Sequence, residues 1–202
     1  MEYPLQQSPI RTGHLLNSPV SGQSVFNGKT AITIQASDMA PRSANGCAAL
    51  ATTNGAADQP DVDYLAFDGA AKEFATFHRR MPGRWNRGAI TASFCYRRAS
   101  GTTLVQVVWG IRAVAVSDSR RIAVNFGADA TVTDIMATGA VDELYLSPET
   151  GNCTIGSTIA EGDMVFFEVF RDGASADDTL NAVDAWLTEV TVFITTNKLD
   201  DR

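Results

Sequence analysis

The chain has 202 residues, 45% of them hydrophobic, and a formal net charge of −7. That length fits one all-β domain with an appendage, and a folded chain of this size hides roughly 70% of its surface, enough for a sizeable core. The acidic balance argues against nonspecific nucleic-acid binding, which needs basic patches to displace counterions, and no apolar run approaches the roughly 18 residues of a membrane span.

The N-terminus "MEYPLQQSPI" lacks the basic start and apolar centre of a secretory signal, so synthesis in a cytoplasm is expected. Residues 1–29 carry Pro4, Pro9, Pro19, Gly13, Gly22 and Gly28 among Gln, Ser and Asn. Proline interrupts regular structure and glycine raises backbone entropy, so this stretch reads as a tail or an extended arm lying on a partner. Residues 30–202 read as the β-sandwich domain. A strand over Thr30 to Gln35 precedes a turn-rich segment with Asn45-Gly46 and Asn54-Gly55.

From Val62 onward the pattern is alternation of apolar residues, the mark of half-buried antiparallel strands. Phe74, Thr76 and His78 share one face of a strand, and Ala75 and Phe77 the other. "MPGRWNRG" reads as a loop, and the strand 89–98 sends Ile90, Ala92, Phe94 and Tyr96 inward. Leu104–Val116 is apolar on both faces, with Val105, Val107, Trp109 and Ile111 opposite Val108, Val114 and Val116. Such a strand needs cover on both sides, from a loop or another subunit, and a homotrimer is expected. Gly110 within it marks a bulge or a close backbone approach.

One short helix is expected over Asp118–Gly127, where Asp118 caps, Ile122 and Phe126 lie four apart, and Gly127 closes the end. Strands follow at 131–136, 141–147, 152–156, 163–171 and 186–196, the last sending Trp186, Val190, Val192 and Ile194 to one side. The fold class is therefore all-β, an antiparallel jelly-roll-like sandwich with one short helix and an extended N-terminal arm.

Residues that carry chemistry are few. Only His14 and His78 are present, and Cys47, Cys95 and Cys153 are odd in number with no C-x-x-C spacing, so they read as small, buried or half-buried apolar residues. Nucleophilic catalysis needs a positioned base, and no G-x-S-x-G motif or suitable histidine offers one. Asp163, Glu168, Glu189 and Glu143 could serve as paired carboxylates, but outward positions on solvated faces explain them. Asp172, Asp177 and Asp178 in "DGASADD" lack the ligand spacing of a calcium loop and read as an acidic surface turn. No cofactor or metal is expected.

His78, Arg79, Arg80, Arg84, Arg87, Arg97 and Arg98 crowd one segment, as a patch for an acidic partner or as solvated strand ends. Within it Arg84, Trp85 and Arg87 are the candidate recognition residues: an indole face for stacking with guanidinium groups beside it. The alternative has Trp85 folding back over the strand ends with its arginines paired to carboxylates of the same or an adjacent chain, and that structural role is the expectation.

"MPGRWNRGAITASFCY", "VVWGIRAVAVSD" and "GDMVFFEVFRD…DDTLNAVDAWLTEVTVFIT" resemble a β-sandwich domain that recurs in virion proteins of tailed phages and prophages. The resemblance covers residues 36 to 196. It implies a non-enzymatic virion component displayed on the particle: a capsid decoration or head-fibre protein, or alternatively a tail-fibre or spike tip that recognises a host surface glycan. The partners implied are other virion proteins, the major capsid or tail proteins, with the arm as the anchor. The resemblance transfers no catalytic residue.

Overall fold

A computed structural model describes residues 28–101, 104–136, 141, 143–181 and 183–197, together with the backbone of 15–17 and 24–26. Two short strands, β1 (Leu15–Asn17) and β2 (Ser24–Phe26), pair antiparallel with each other. The rest of the expected arm up to residue 27 lies outside the described residues, and regular pairing already starts at Gly28. Then come β3 (Gly28–Gln35), a 3-10 turn (Ala36–Asp38), β4 (Ala40–Pro41), β5 (Ala51–Thr53), β6 (Val62–Phe67) and β7 (Lys72–Arg80). The longest strands follow, β8 (Trp85–Arg98) and β9 (Val105–Val116), with β10 (Ala130–Met136), β11 (Tyr145–Leu146) and β12 (Ile155–Gly156) after them. β13 (Met164–Asp172) and β14 (Ala185–Thr196) complete the chain.

These strands build two sheets packed face to face. Sheet 1 runs β10-β9-β13-β7-β4, with β12 also on β9; sheet 2 runs β11-β8-β14-β6-β5, with β3 also on β14. The chain crosses between sheets at β6, β7, β8 and β9 in turn, a jelly-roll-like path. The alternation expected in β7 and β8 holds: Ala75, Phe77, Ile90, Ala92, Phe94 and Tyr96 are all buried. Trp109 is fully buried at the centre, 5.2 Å from the Phe67 ring, 5.4 Å from Phe94 and 5.3 Å from Tyr96. Rings at these separations add edge-to-face and offset attraction to the burial of their area.

Two expectations are corrected, and a third is narrowed to one of its alternatives. First, Asp118–Gly127 is a turn followed by irregular backbone, with no helix, and Ile122 is 71% exposed. Gly127 donates its N–H to the Ala113 carbonyl at 3.0 Å and passes so close to β12 that a Cβ would sit 1.8 Å from the Thr154 oxygen. It is a backbone crossing point and not a helix cap: one long-range hydrogen bond replaces the local ones a helix of ten residues would make only marginally.

Second, Trp186 does not face the core with Val190, Val192 and Ile194. The pairing of β14 with β8 shifts register between Leu187 and Glu189, so Ala185 and Leu187 point inward and Trp186 points out. A bulge inserts one residue and so reverses the parity of everything beyond it. Thr188, the extra residue, donates its hydroxyl to the Cys95 carbonyl at 2.9 Å.

Third, the second face of β9 is closed by the chain itself. Val108 is 5% and Val114 3% exposed, the former beside Asp178, which accepts the Val108 N–H at 3.1 Å, the latter beside Phe166 in register on β13. That face therefore gives no reason for a trimer. Gly110 lies in unbroken register and makes room for a ring: a Cβ there would meet Phe170 Cζ at 2.2 Å. No helix of the described residues is long and apolar enough to cross a membrane.

Candidate functional site

The three residues singled out by sequence do not form a recognition face. Trp85 is 5% exposed and belongs to the core. β8 begins with it, so of the loop expected over 81–88 only 81–84 is loop, closed by the Trp85 amide donating to the Pro82 carbonyl at 3.0 Å, and the indole enters the core as the first residue of the strand. Arg84 is half-buried. Arg87 is exposed at φ 62°, beside Gly88, and has no carboxylate partner among the described residues. The structural role expected of Trp85 is the one observed.

The wider basic segment is also divided. Arg97 and Arg98 are 7% and 1% exposed at the far end of β8, while Arg79 pairs with Asp38 at 2.9 Å near the opposite end of the sandwich. Adjacent in sequence, these residues share no surface.

Two of the four carboxylates weighed as catalytic, Glu168 and Asp163, are buried, which corrects the reading of them as surface residues, while Glu189 is half-buried and Glu143 exposed. Glu168 is 3% exposed, bound by Arg112 Nε at 2.7 Å and by Arg42 at 3.2 Å. Asp163 is buried and accepts the Ala160 N–H at 2.7 Å. Asp178 is the opposite of a surface turn: it and Arg171 are fully buried, joined by two hydrogen bonds of 2.9 and 2.8 Å. Arg171 also donates to the Phe67 and Val183 carbonyls at 3.1 and 2.7 Å. The guanidinium thus occupies the place considered for a cation, while Asp172 pairs with Lys72 and Asp177 stays exposed. Among the described residues no group of His, Cys, Asp and Glu gathers as a metal site. The cysteines are free, and burial pushes the thiols of Cys47 and Cys153 up to about 12, holding them protonated.

The arrangement with room for a ligand lies on the outer face of sheet 1. Alternation in β7 turns Thr76 and His78 outward, and the register puts Phe166 of β13 beside His78, with their rings 5.5 Å apart. One wall is the segment Ser37–Ala40. It is fixed there by β4 pairing with β7, by the Thr76 hydroxyl donating to the Ala40 carbonyl at 3.2 Å, and by the Asp38–Arg79 pair. The other wall is Phe126, whose ring lies 5.2 Å from the Arg112 guanidinium. Between them runs a groove of about 620 Å³. A second groove of about 470 Å³ adjoins it at Phe166 and continues past Arg80 and Met164 to Ile122.

Together they form an open trench with aromatic surfaces in its floor and wall, and with Ser37, Asp38, Thr76, His78 and Arg80 at its margins. Open walls suit an extended ligand that keeps one side in water, unlike the enclosed apolar cavities that take small hydrophobic molecules.

Sequence reasoning placed His78 on the correct face but gave it no role, because the wall that faces it comes from a turn about 40 residues earlier. Phe166 had a readable signal: it shares strand parity with Glu168, so an apolar ring and a carboxylate lie on one face of β13. The outer face of sheet 2 has an aromatic pair too. Tyr64 and Trp186 stack at 4.4 Å with Arg97 nearby, donating to the Thr53 hydroxyl at 2.7 Å. There each ring covers the other, so the pair shields the sheet more than it offers a platform.

No family model and no curated protein matches the chain. Among solved structures it is similar to a carbohydrate-binding module specific for non-crystalline cellulose, at 12% identity over 79% of this chain and 86% of that one, with a TM-score of 0.42. It is also similar to the family 11 carbohydrate-binding module from Clostridium thermocellum in complex with a β-1,3-1,4-mixed-linked tetrasaccharide (8% identity, 91% and 95% covered, TM-score 0.36). A third is TmCBM61 in complex with β-1,4-galactotriose (12% identity, 90% of each chain, TM-score 0.29).

Proposed function

We propose that this chain is a non-enzymatic surface protein of a phage virion that binds a host surface glycan along the trench on sheet 1. The virion setting rests on the resemblance of residues 36 to 196. The glycan reading rests on the trench itself: aromatic groups of Phe166, His78 and Phe126 next to side-chain hydroxyls and the Asp38 carboxylate. Sugar rings present C–H faces to aromatic rings and hydroxyls to polar groups, and this surface alternates the two. The non-catalytic reading is supported by Glu168, Asp163 and Asp178, each already engaged by a guanidinium or a backbone amide.

A capsid decoration role is the rival. The two separate in one experiment, in which His78→Ala and Phe166→Ala proteins are compared with the parent for binding to purified bacterial surface polysaccharides and for particle integrity. Lost glycan binding with intact particles is expected. Binding unchanged in both variants, with fragile particles when the protein is left out, would replace recognition with decoration.

A further inference from the structure

A third groove of about 640 Å³ adjoins the trench, sharing Val116, Ser117 and Ser119 with the second groove. Its lining is chemically distinct: the guanidinium groups of Arg120 and Arg121, with Ser117, Ser119, Ser157 and Thr158 around them. Both arginines are exposed and neither has a carboxylate partner among the described residues; Arg87 on the other sheet is likewise without one, whereas Arg42, Arg79, Arg112 and Arg171 all have one. In a chain with 23 acidic residues against 16 basic ones, two adjacent arginines without a partner in one groove are not explained by internal pairing. The charged groups bordering the junction with the trench are Asp118 and Arg80. Ser157 donates its hydroxyl to the Ala115 carbonyl and so keeps only acceptor capacity, leaving Ser117, Ser119 and Thr158 as hydroxyl donors beside the two guanidiniums.

We infer that the glycan bound in the trench is acidic, with a sugar carboxylate seated in the groove of Arg120 and Arg121. This deepens the glycan reading and rests on it. A guanidinium presents planar paired N–H donors that match the two oxygens of a carboxylate, and the hydroxyls can hold the neighbouring ring. A neutral glycan would cross the same trench and leave both charges without use.

The test measures binding of the full chain to bacterial capsular polysaccharides that carry uronic acids, each in its native form and after chemical reduction of its carboxylates to alcohols. Native polysaccharide should bind, more weakly as salt rises. Replacing both arginines (Arg120→Gln with Arg121→Gln) should weaken it about tenfold or more, the factor that corresponds to about 1.4 kcal/mol. Arg87→Gln, which removes an exposed charge on the other sheet, should leave binding unchanged. Equal binding of native and reduced forms, insensitive to the arginine pair, overturns the acidic-ligand inference and leaves the trench reading standing. Binding of neither form at any ionic strength overturns both.

Discussion

Arg171 and Asp178 illustrate how much a single side chain can organise here. The pair ties the loop after β13 to β6 through the Phe67 carbonyl and to β9 through the Val108 amide. Removing one member of a buried pair strands the other charge, so Asp178→Ala should lower stability by about 3–5 kcal/mol in urea unfolding. Replacing both, by Arg171→Met with Asp178→Leu, should cost clearly less, because no unpaired charge remains. A double variant as unstable as the single one would mean that the carbonyl contacts of Arg171 matter more than its charge. Trp85 makes a second residue-level case. Being core, its truncation to Ala should cost about 3–5 kcal/mol, and a melting temperature unchanged in Trp85→Ala would refute its structural role.

β14 shows what one inserted residue does to an element. Thr188→Ala removes only the hydroxyl bond to Cys95 and should cost about 1 kcal/mol. Deleting Thr188 puts Leu187 next to Glu189, so alternation runs unbroken with Ala185, Leu187 and Val190 inward and Trp186 outward. The cooperative unfolding transition should survive; its loss would show that the bulge itself is required. β10 carries a pH effect. Burial pushes the Asp134 carboxyl up, against the opposing hydrogen bonds from the Tyr96 hydroxyl at 2.9 Å and the Ile135 amide. A carboxyl with a raised folded pKa holds its proton more tightly folded than unfolded, so stability falls as pH climbs from the ordinary carboxylate range through the raised value. Asp134→Asn should remove that fall; a variant whose melting follows pH as the parent's does would show Asp134 to be neutral. Glu149 has the opposite sign. Hydrogen bonds from Lys29 and Thr91 hold it down, so its contribution is present above the ordinary carboxylate range and is lost in acid.

At the scale of the whole molecule, the two sheets have different outer surfaces. Sheet 2 shields part of its outer face with the stacked Tyr64 and Trp186 near the buried Arg97. Sheet 1 gathers a charged cluster of half-buried Arg42 and Arg112 around the buried Glu168, against Phe74, at one end and opens into the trench at the other. Since β9 is covered within one chain, oligomerisation is not required for its burial. Sedimentation of the purified protein at high concentration should show a folded sandwich whose thermal stability does not change with dilution. Melting that falls on dilution would mean that a subunit interface contributes to the core after all.

Period-two alternation over β7, β8, β9 and β13 was enough to determine the all-β class and the inward residues, because the buried face of a strand must be apolar whatever lies opposite. The inward role of Trp85 was legible for a different local reason, the turn residues Pro82, Gly83 and Gly88 around it. Three things depended on tertiary structure. Ile122 and Phe126 have helical spacing, yet Gly127 is held by β9 and β12, and a ten-residue helix has too little stability of its own to resist. Trp186 has inward parity, yet the bulge at Thr188 turns it out, and a bulge leaves no mark in periodicity. The trench joins His78, Phe166, Asp38 and Phe126 from four separate segments, and the burial of Glu168 and Asp178 depends on arginines distant in sequence or folded back across a loop. Alternation reports which side of a strand faces the core; what covers the other side is decided by long-range packing.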